Sequence, residues 1–159
     1  MHTSTTPTQP TAADLPPALT RLLVKEGVSL GCLSFEERLM ALGWVWAGLP
    51  AGLVAPEAAV NVALKSQLAG PARFLDVDHV ELRRWLVDGG WLQRDGYGRE
   101  YRRVLPCLPE AAAVAAQLQA VDTAASAAAL RAAREAERAS RRAHWQQQAA
   151  ARPQDGAPA

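Results

Sequence analysis

Very little in this sequence is equipped for covalent chemistry. Among 159 residues there are two cysteines, two methionines and three histidines. Cys32 and Cys107 stand far apart, match no metal-ligand spacing and read as isolated reduced thiols. His2, His79 and His144 are dispersed. No nucleophile elbow, phosphate-binding glycine loop or His-Glu zinc motif occurs. Carboxylates fall near helix starts, where capping accounts for them. Catalytic residues, a metal site and a cofactor are therefore not expected, and the chain reads as non-enzymatic.

Long apolar runs are also missing. The longest, residues 39–54, is interrupted by Gly43, Gly48, Pro50 and Gly52. It falls short of the roughly 20 residues that span a bilayer. The first residues have neither a basic stretch nor an apolar one, so a secretion signal is not expected and a cytoplasmic location is. Net charge is only +1. Attraction to a polyanion cannot come from the molecule as a whole and depends on where charges cluster.

What is present is a helical pattern with a concentrated core. Large apolar residues gather between Leu15 and Leu108, enough to bury a core without staples. Residues 1–13 hold threonine and proline with little to bury, and are expected to be a disordered head. Asp14 is placed to cap a helix that begins with Pro16 and Pro17, buries Leu19, Leu22 and Leu23, and stops at Gly27.

Ser34 and Glu37 form a capping box. The helix after it carries Phe35, Leu39, Leu42 and Trp46 on one stripe. Trp44 and Met40 make a second apolar face. It is expected either to be covered by another helix or to serve as a partner-binding or homodimer surface. Residues 49–55 suit a short extended piece. Pro56 and Glu57 open the next helix, with Val60, Leu64 and Leu68 inward, and Gly70-Pro71 closes it.

Asp78 and Glu81 suggest a second capping box. Leu82, Trp85 and Leu86 give that helix its buried face, and Gly89-Gly90 ends it. Residues 91–94 and 99–104 flank Asp95-Gly96-Tyr97-Gly98 and predict a β-hairpin. Three helices followed by a hairpin is the winged-helix order. The expected fold is mainly α: a winged-helix-like domain over residues 14–106, then a long alanine- and arginine-rich helical tail over 107–152, with residues 153–159 disordered. As one continuous helix from Pro109 the tail would reach about 60 Å. Its first half is expected to dock on the domain or on a second copy, and its second half to project.

Charge is unevenly placed. Between positions 83 and 103, Arg83, Arg84, Arg94, Arg99, Arg102 and Arg103 face three acids. On a winged helix these sit on the reading helix and the wing, where arginine grips phosphate or guanine edges. Asp78, Glu81 and Asp88 share the same helix and repel phosphate. Arg83 and Arg84 could equally pair with Glu36, Glu37 or Glu57 and fix helix packing, and the wing arginines could be an ordinary solvated charged hairpin. In the tail, Arg131, Arg134, Arg138, Arg141 and Arg142 recur at spacings of three and four. They could follow a DNA backbone, or form a solubilising face laced by Glu135 and Glu137. Tyr97 at the hairpin tip and Trp145 in the tail are further contact candidates; Tyr101 alternates inward.

The run from Leu82 to Tyr101, LRRWLVDGGWLQRDGYGREY, resembles the end of the prokaryotic DUF2087 family, a domain of unknown function. That family reads roughly LRR, then LVD, Gly, Leu, Arg, Gly and Tyr. Val60-Asn61 and Leu64 resemble its upstream helix, and the resemblance covers residues 34–104. The family usually carries a Tyr and two acids ahead of the Asn, where this chain keeps only Glu57. Members occur alone or fused to ArsR-type helix-turn-helix regulators. The resemblance thus implies a winged-helix-like fold and a role in transcription control, with no catalytic residues to carry over. Two functions are left open: a DNA-associated winged-helix protein binding double-stranded DNA through its basic third helix, wing and tail, or a protein-interaction adaptor or homodimerising module that binds no DNA.

Overall fold

A computed structural model describes residues 10–153. Of the ends expected to be disordered, residues 1–9 and 154–159 lie outside the described residues, while Ala12 and Ala13 of the expected head belong to a 3-10 turn, Ala12–Asp14, held by the Thr11–Asp14 hydrogen bonds. The elements run α1 (Pro17–Leu23), α2 (Phe35–Ala47), β1 (Val54–Pro56), α3 (Glu57–Ala69), α4 (His79–Asp88), β2 (Leu92–Arg94), β3 (Glu100–Arg103), α5 (Pro109–Leu118) and α6 (Thr123–Ala150). The three strands form one antiparallel sheet in the order β1-β3-β2. Val54 pairs with Arg102, and Leu92 with Arg103. From α2 to β3 this is the winged-helix arrangement, mainly α with a small sheet, and β2 and β3 make the wing.

Local chemistry explains most boundaries. The Ser34 hydroxyl accepts from the Glu37 amide at 3.2 Å, and the Glu37 carboxylate accepts from the Ser34 amide at 3.1 Å. These bonds hold the Glu37 carboxyl below its usual range, helped by Lys25 and Arg21. Asp78 caps α4 by accepting from the Glu81 amide at 2.8 Å. Glu81 does not return the bond, so this is half of the expected box. At the other end of α4, Gly90 takes φ +77°. Its amide donates to Val87, and that of Trp91 to Leu86. This paired closure turns the chain sharply into the wing.

Three expectations need correction. Asp14 does not cap α1. It accepts from the Thr11 amide and hydroxyl, closing a 3-10 turn at Ala12–Asp14, and Pro16 stands at the α1 cap. Helix α1 ends at Leu23, before Gly27. Phe35 is 55% exposed, because the first turn of α2 lies beyond the stretch its neighbours cover.

Helix α2 is the centre of the molecule. Ala41, Leu42, Gly43, Trp44, Val45 and Trp46 are all buried, so this stretch has no solvent face. Trp44 is fully buried, and its indole N–H donates to the Pro71 carbonyl at 3.0 Å. The second face of α2 is therefore interior, and Trp44 offers no surface to a partner. Met40 beside it is half-buried against the core.

The tail is two helices. Asp122 accepts from the Ala125 amide at 3.0 Å and starts α6 afresh. Helix α5 lies on α2 with Ala111, Ala115 and Leu118 buried, so it belongs to the core. Helix α6 touches the Ala12–Asp14 turn and α1 through its first turns. Beyond Arg131 every described residue is exposed. Among the described residues, no helix is long and apolar enough to cross a membrane.

Candidate phosphate-contact surfaces

The wing is closed by its own side chains. Asp95 accepts from the Arg99 amide at 2.7 Å and the Glu100 amide at 3.2 Å. Gly98 takes φ +67°, and a Cβ there would overlap the Arg94 guanidinium. Tyr97 stands fully in solvent at the tip. Tyr101 points inward and is buried, as its alternation predicts.

The six arginines of this region divide into two kinds. Arg83 is internal. Its guanidinium donates to Asn61 Oδ1, pairs with Glu57 at 2.9 Å and lies 5.5 Å from the Tyr101 ring centre. Arg103 is also held inside. It donates to the Leu49 carbonyl at 2.7 Å and sits 3.8 Å above the Trp46 ring. Burial lowers its pKa below the usual arginine value.

Arg84, Arg94, Arg99 and Arg102 point outward. Arg84 has no ion pair or hydrogen-bonded side-chain partner among the described residues. Arg94 lies 5.9 Å from the Tyr101 ring, and Arg102 approaches Glu100 only at 4.0 Å. Asp78, Glu81 and Asp88 are exposed on α4 beside Arg84. The solvent face of α4 is therefore net acidic. The cleft between α4 and the wing, lined by Arg83, Arg84, Arg94 and Tyr101 among others, holds about 250 Å³. That is below the usual range of roughly 300–1,000 Å³ for small-molecule pockets.

Residues 34–103 match a family model described as an uncharacterized protein conserved in bacteria (DUF2087). The match agrees with the resemblance to the DUF2087 family read from the sequence. No curated protein and no solved structure matches the chain. The matched segment begins at the Ser34 cap and ends with β3, so α1 and α5 pack on it from outside, and α6 rests on α1 and the Ala12–Asp14 turn. Within it, Asn61, Arg83 and Tyr101, which carry part of the family resemblance, converge with Glu57 on one cluster, and Arg94 lies exposed over the Tyr101 ring. Much of the visible DUF2087 pattern is thus a clasp that joins α3, α4 and the wing.

Substitution separates clasp from surface. Arg83→Met leaves Glu57 and Asn61 without their partner. Glu57 is 44% exposed, so water recovers part of the loss. A stability decrease of about 1–2 kcal/mol in urea unfolding is expected, with no change in any nucleic-acid affinity. Arg84→Met should leave stability within about 0.5 kcal/mol.

The tail arginines divide in the same way. Arg141 pairs with Glu137, and Arg142 with Glu135 at 3.1 Å, both in full solvent. Arg134 and Arg138 are exposed. Arg131, nearer the domain, donates to the Gly70 carbonyl at 3.1 Å. The fold brings Lys25 and Arg73 beside this end of the stripe. Sequence reading passed over both, because three separate segments supply the group and no local spacing signals it. Trp145 is 70% exposed. Both cysteines are exposed and free, and among the described residues no group of three or more metal-ligating side chains could hold a metal ion.

Proposed function

We propose that this protein is a DNA-associated winged-helix module, with a role in transcription control, that grips backbone phosphates along the α4–wing edge. The observation that carries this reading is the set of four outward arginines, Arg84, Arg94, Arg99 and Arg102, on that edge. Arg83 and Arg103 take no part in the grip, since their guanidinium groups are engaged inside. The acids on α4 argue for backbone contact over insertion into a major groove. The exposed arginines of α6 add sequence-independent attraction.

Binding of this kind releases counterions, so affinity falls steeply with salt. Fluorescence anisotropy of a labelled duplex at low and near-physiological salt tests it. Replacing all four edge arginines with alanine should weaken binding and flatten the log–log salt slope by up to about 0.9 for each phosphate no longer neutralised. Wild-type protein that binds duplex at neither salt would sink the proposal.

The second reading, a protein-interaction or homodimerising module, is favoured by the net acidic face of α4 and by Trp145 standing exposed on the projecting part of α6. Sedimentation across a concentration series tests its self-association form; a monomer throughout would remove the homodimer.

A further inference from the structure

A second cationic group lies away from the wing, where the end of α1, the turn after α3 and the base of α6 meet. A cleft of about 470 Å³ opens there, within the size range of small-molecule sites. Five basic side chains line it: Lys25, Arg73, Arg131, Arg134 and Arg138. Two acids, Glu26 and Glu135, share the wall. Neither neutralises the group. The Glu135 carboxylate is turned along α6 to Arg142, and Glu26 forms no ion pair among the described residues.

Arg131 gives the cleft its built character. One guanidinium nitrogen, Nη1, is tied to the Gly70 carbonyl. The other, Nη2, is buried and has no acceptor among the described residues. A charged donor withdrawn from water and left unsatisfied is expensive, and folds rarely tolerate one without a reason. Burial first, and then the nearby Arg73 guanidinium, disfavour the charge on Arg131. A cluster that existed only to hold α6 against the domain would place an acid between these groups. Here several donors of one sign converge on a space that an oxyanion would fill.

We propose that this cleft binds a small phosphate-class oxyanion, with Arg73 and Arg134 as its principal donors and Arg131 adding its charge. Arginine suits that role because its planar fork meets phosphate oxygens in pairs. Bound there, the anion would bridge the turn after α3 and α6 through the exposed Arg73 and Arg134 guanidinium groups. The phosphate can come from a free small molecule or from a nucleic-acid backbone, and the site does not depend on the wing-edge reading.

Isothermal titration with inorganic pyrophosphate tests it on the full chain. Arg73→Ala/Arg134→Ala removes two exposed donors and leaves the Arg131 contact with Gly70 in place, so folding should be unaffected by circular dichroism. Saturable pyrophosphate binding by wild type, weakened at least about tenfold in this variant and unchanged in Arg84→Ala/Arg94→Ala, is the expected result. Absence of pyrophosphate binding by wild type, or equal binding by the Arg73/Arg134 variant, would overturn the proposal. Duplex DNA titrated in parallel identifies the source. Loss of duplex binding in the Arg73/Arg134 variant assigns the cleft to backbone phosphate. Its retention there, with loss in the Arg84/Arg94 variant, assigns the cleft to a free anion and keeps DNA on the wing edge.

Discussion

Trp44→Ala should lower the unfolding free energy by about 3–5 kcal/mol. Two losses combine. The indole is fully buried at the centre of α2, so its removal leaves a cavity that the surrounding helices can only partly close. The Pro71 carbonyl also loses the N–H that it accepts at 3.0 Å. Against a typical total of about 5–15 kcal/mol for a domain, this is a large fraction, and a drop in Tm of roughly 10 °C or more is expected. Trp44→Phe separates the two losses. It keeps most of the apolar volume and strands the carbonyl, at a cost of about 1–3 kcal/mol. Thermal melts at two protein concentrations also distinguish core from interface: a core tryptophan gives the same destabilisation at both. A fully tolerated Trp44→Ala would mean that the indole is not enclosed.

The second large effect is expected at Gly43→Leu. A Cβ on Gly43 would lie 2.6 Å from Val114 Cγ1 and 3.2 Å from the Trp91 ring. Alanine would ordinarily gain close to 1 kcal/mol over glycine inside a helix, but here its methyl already presses on α5. Leucine pushes further, and overpacking of this kind costs about 1–3 kcal/mol or more. The route of least resistance is to lift α5 off α2. Hydrogen exchange should therefore show lost protection over residues 109–118 first, with α3 and α4 retained. Uniform loss across all helices would contradict the view that α5 is the part displaced.

Both experiments bear on what a reader of the sequence can and cannot see. The Ser34–Glu37 box, the Gly89-Gly90 stop and the hairpin around Asp95–Gly98 are local features, set within a few residues, and each appears where its chemistry predicts. The short extended piece expected over residues 49–55 is displaced: β1 is Val54–Pro56, and Pro56 ends the strand and caps α3 instead of opening the helix. The cover over Trp44 depends on a carbonyl 27 residues away, which no local pattern encodes. Arg83 and Arg84 are neighbours in sequence and opposite in fate. Their roles were decided by where Glu57 and Asn61 fall on α3. The break between α5 and α6 was obscured by alanine on both sides, although Asp122 is a competent cap. At Asp14 the cap chemistry was right and its target was the preceding turn, because Thr11 lies three residues back.

Helix α6 has a consequence for how relatives of this chain could diverge. Twelve residues, 139–150, extend past Arg138, the last position of α6 that lines the basic cleft, an arm of roughly 18 Å at about 1.5 Å per residue. All of them are exposed, so the length of that arm is a free parameter. Inserting one residue near position 140 would advance Trp145 by about 1.5 Å and swing it through about 100°. Inserting seven would carry it outward by about 10 Å and return it to nearly the same heading. Reach and direction are thus tuned by counting residues, in steps of one for bearing and seven for distance, while the domain that anchors the arm is left untouched.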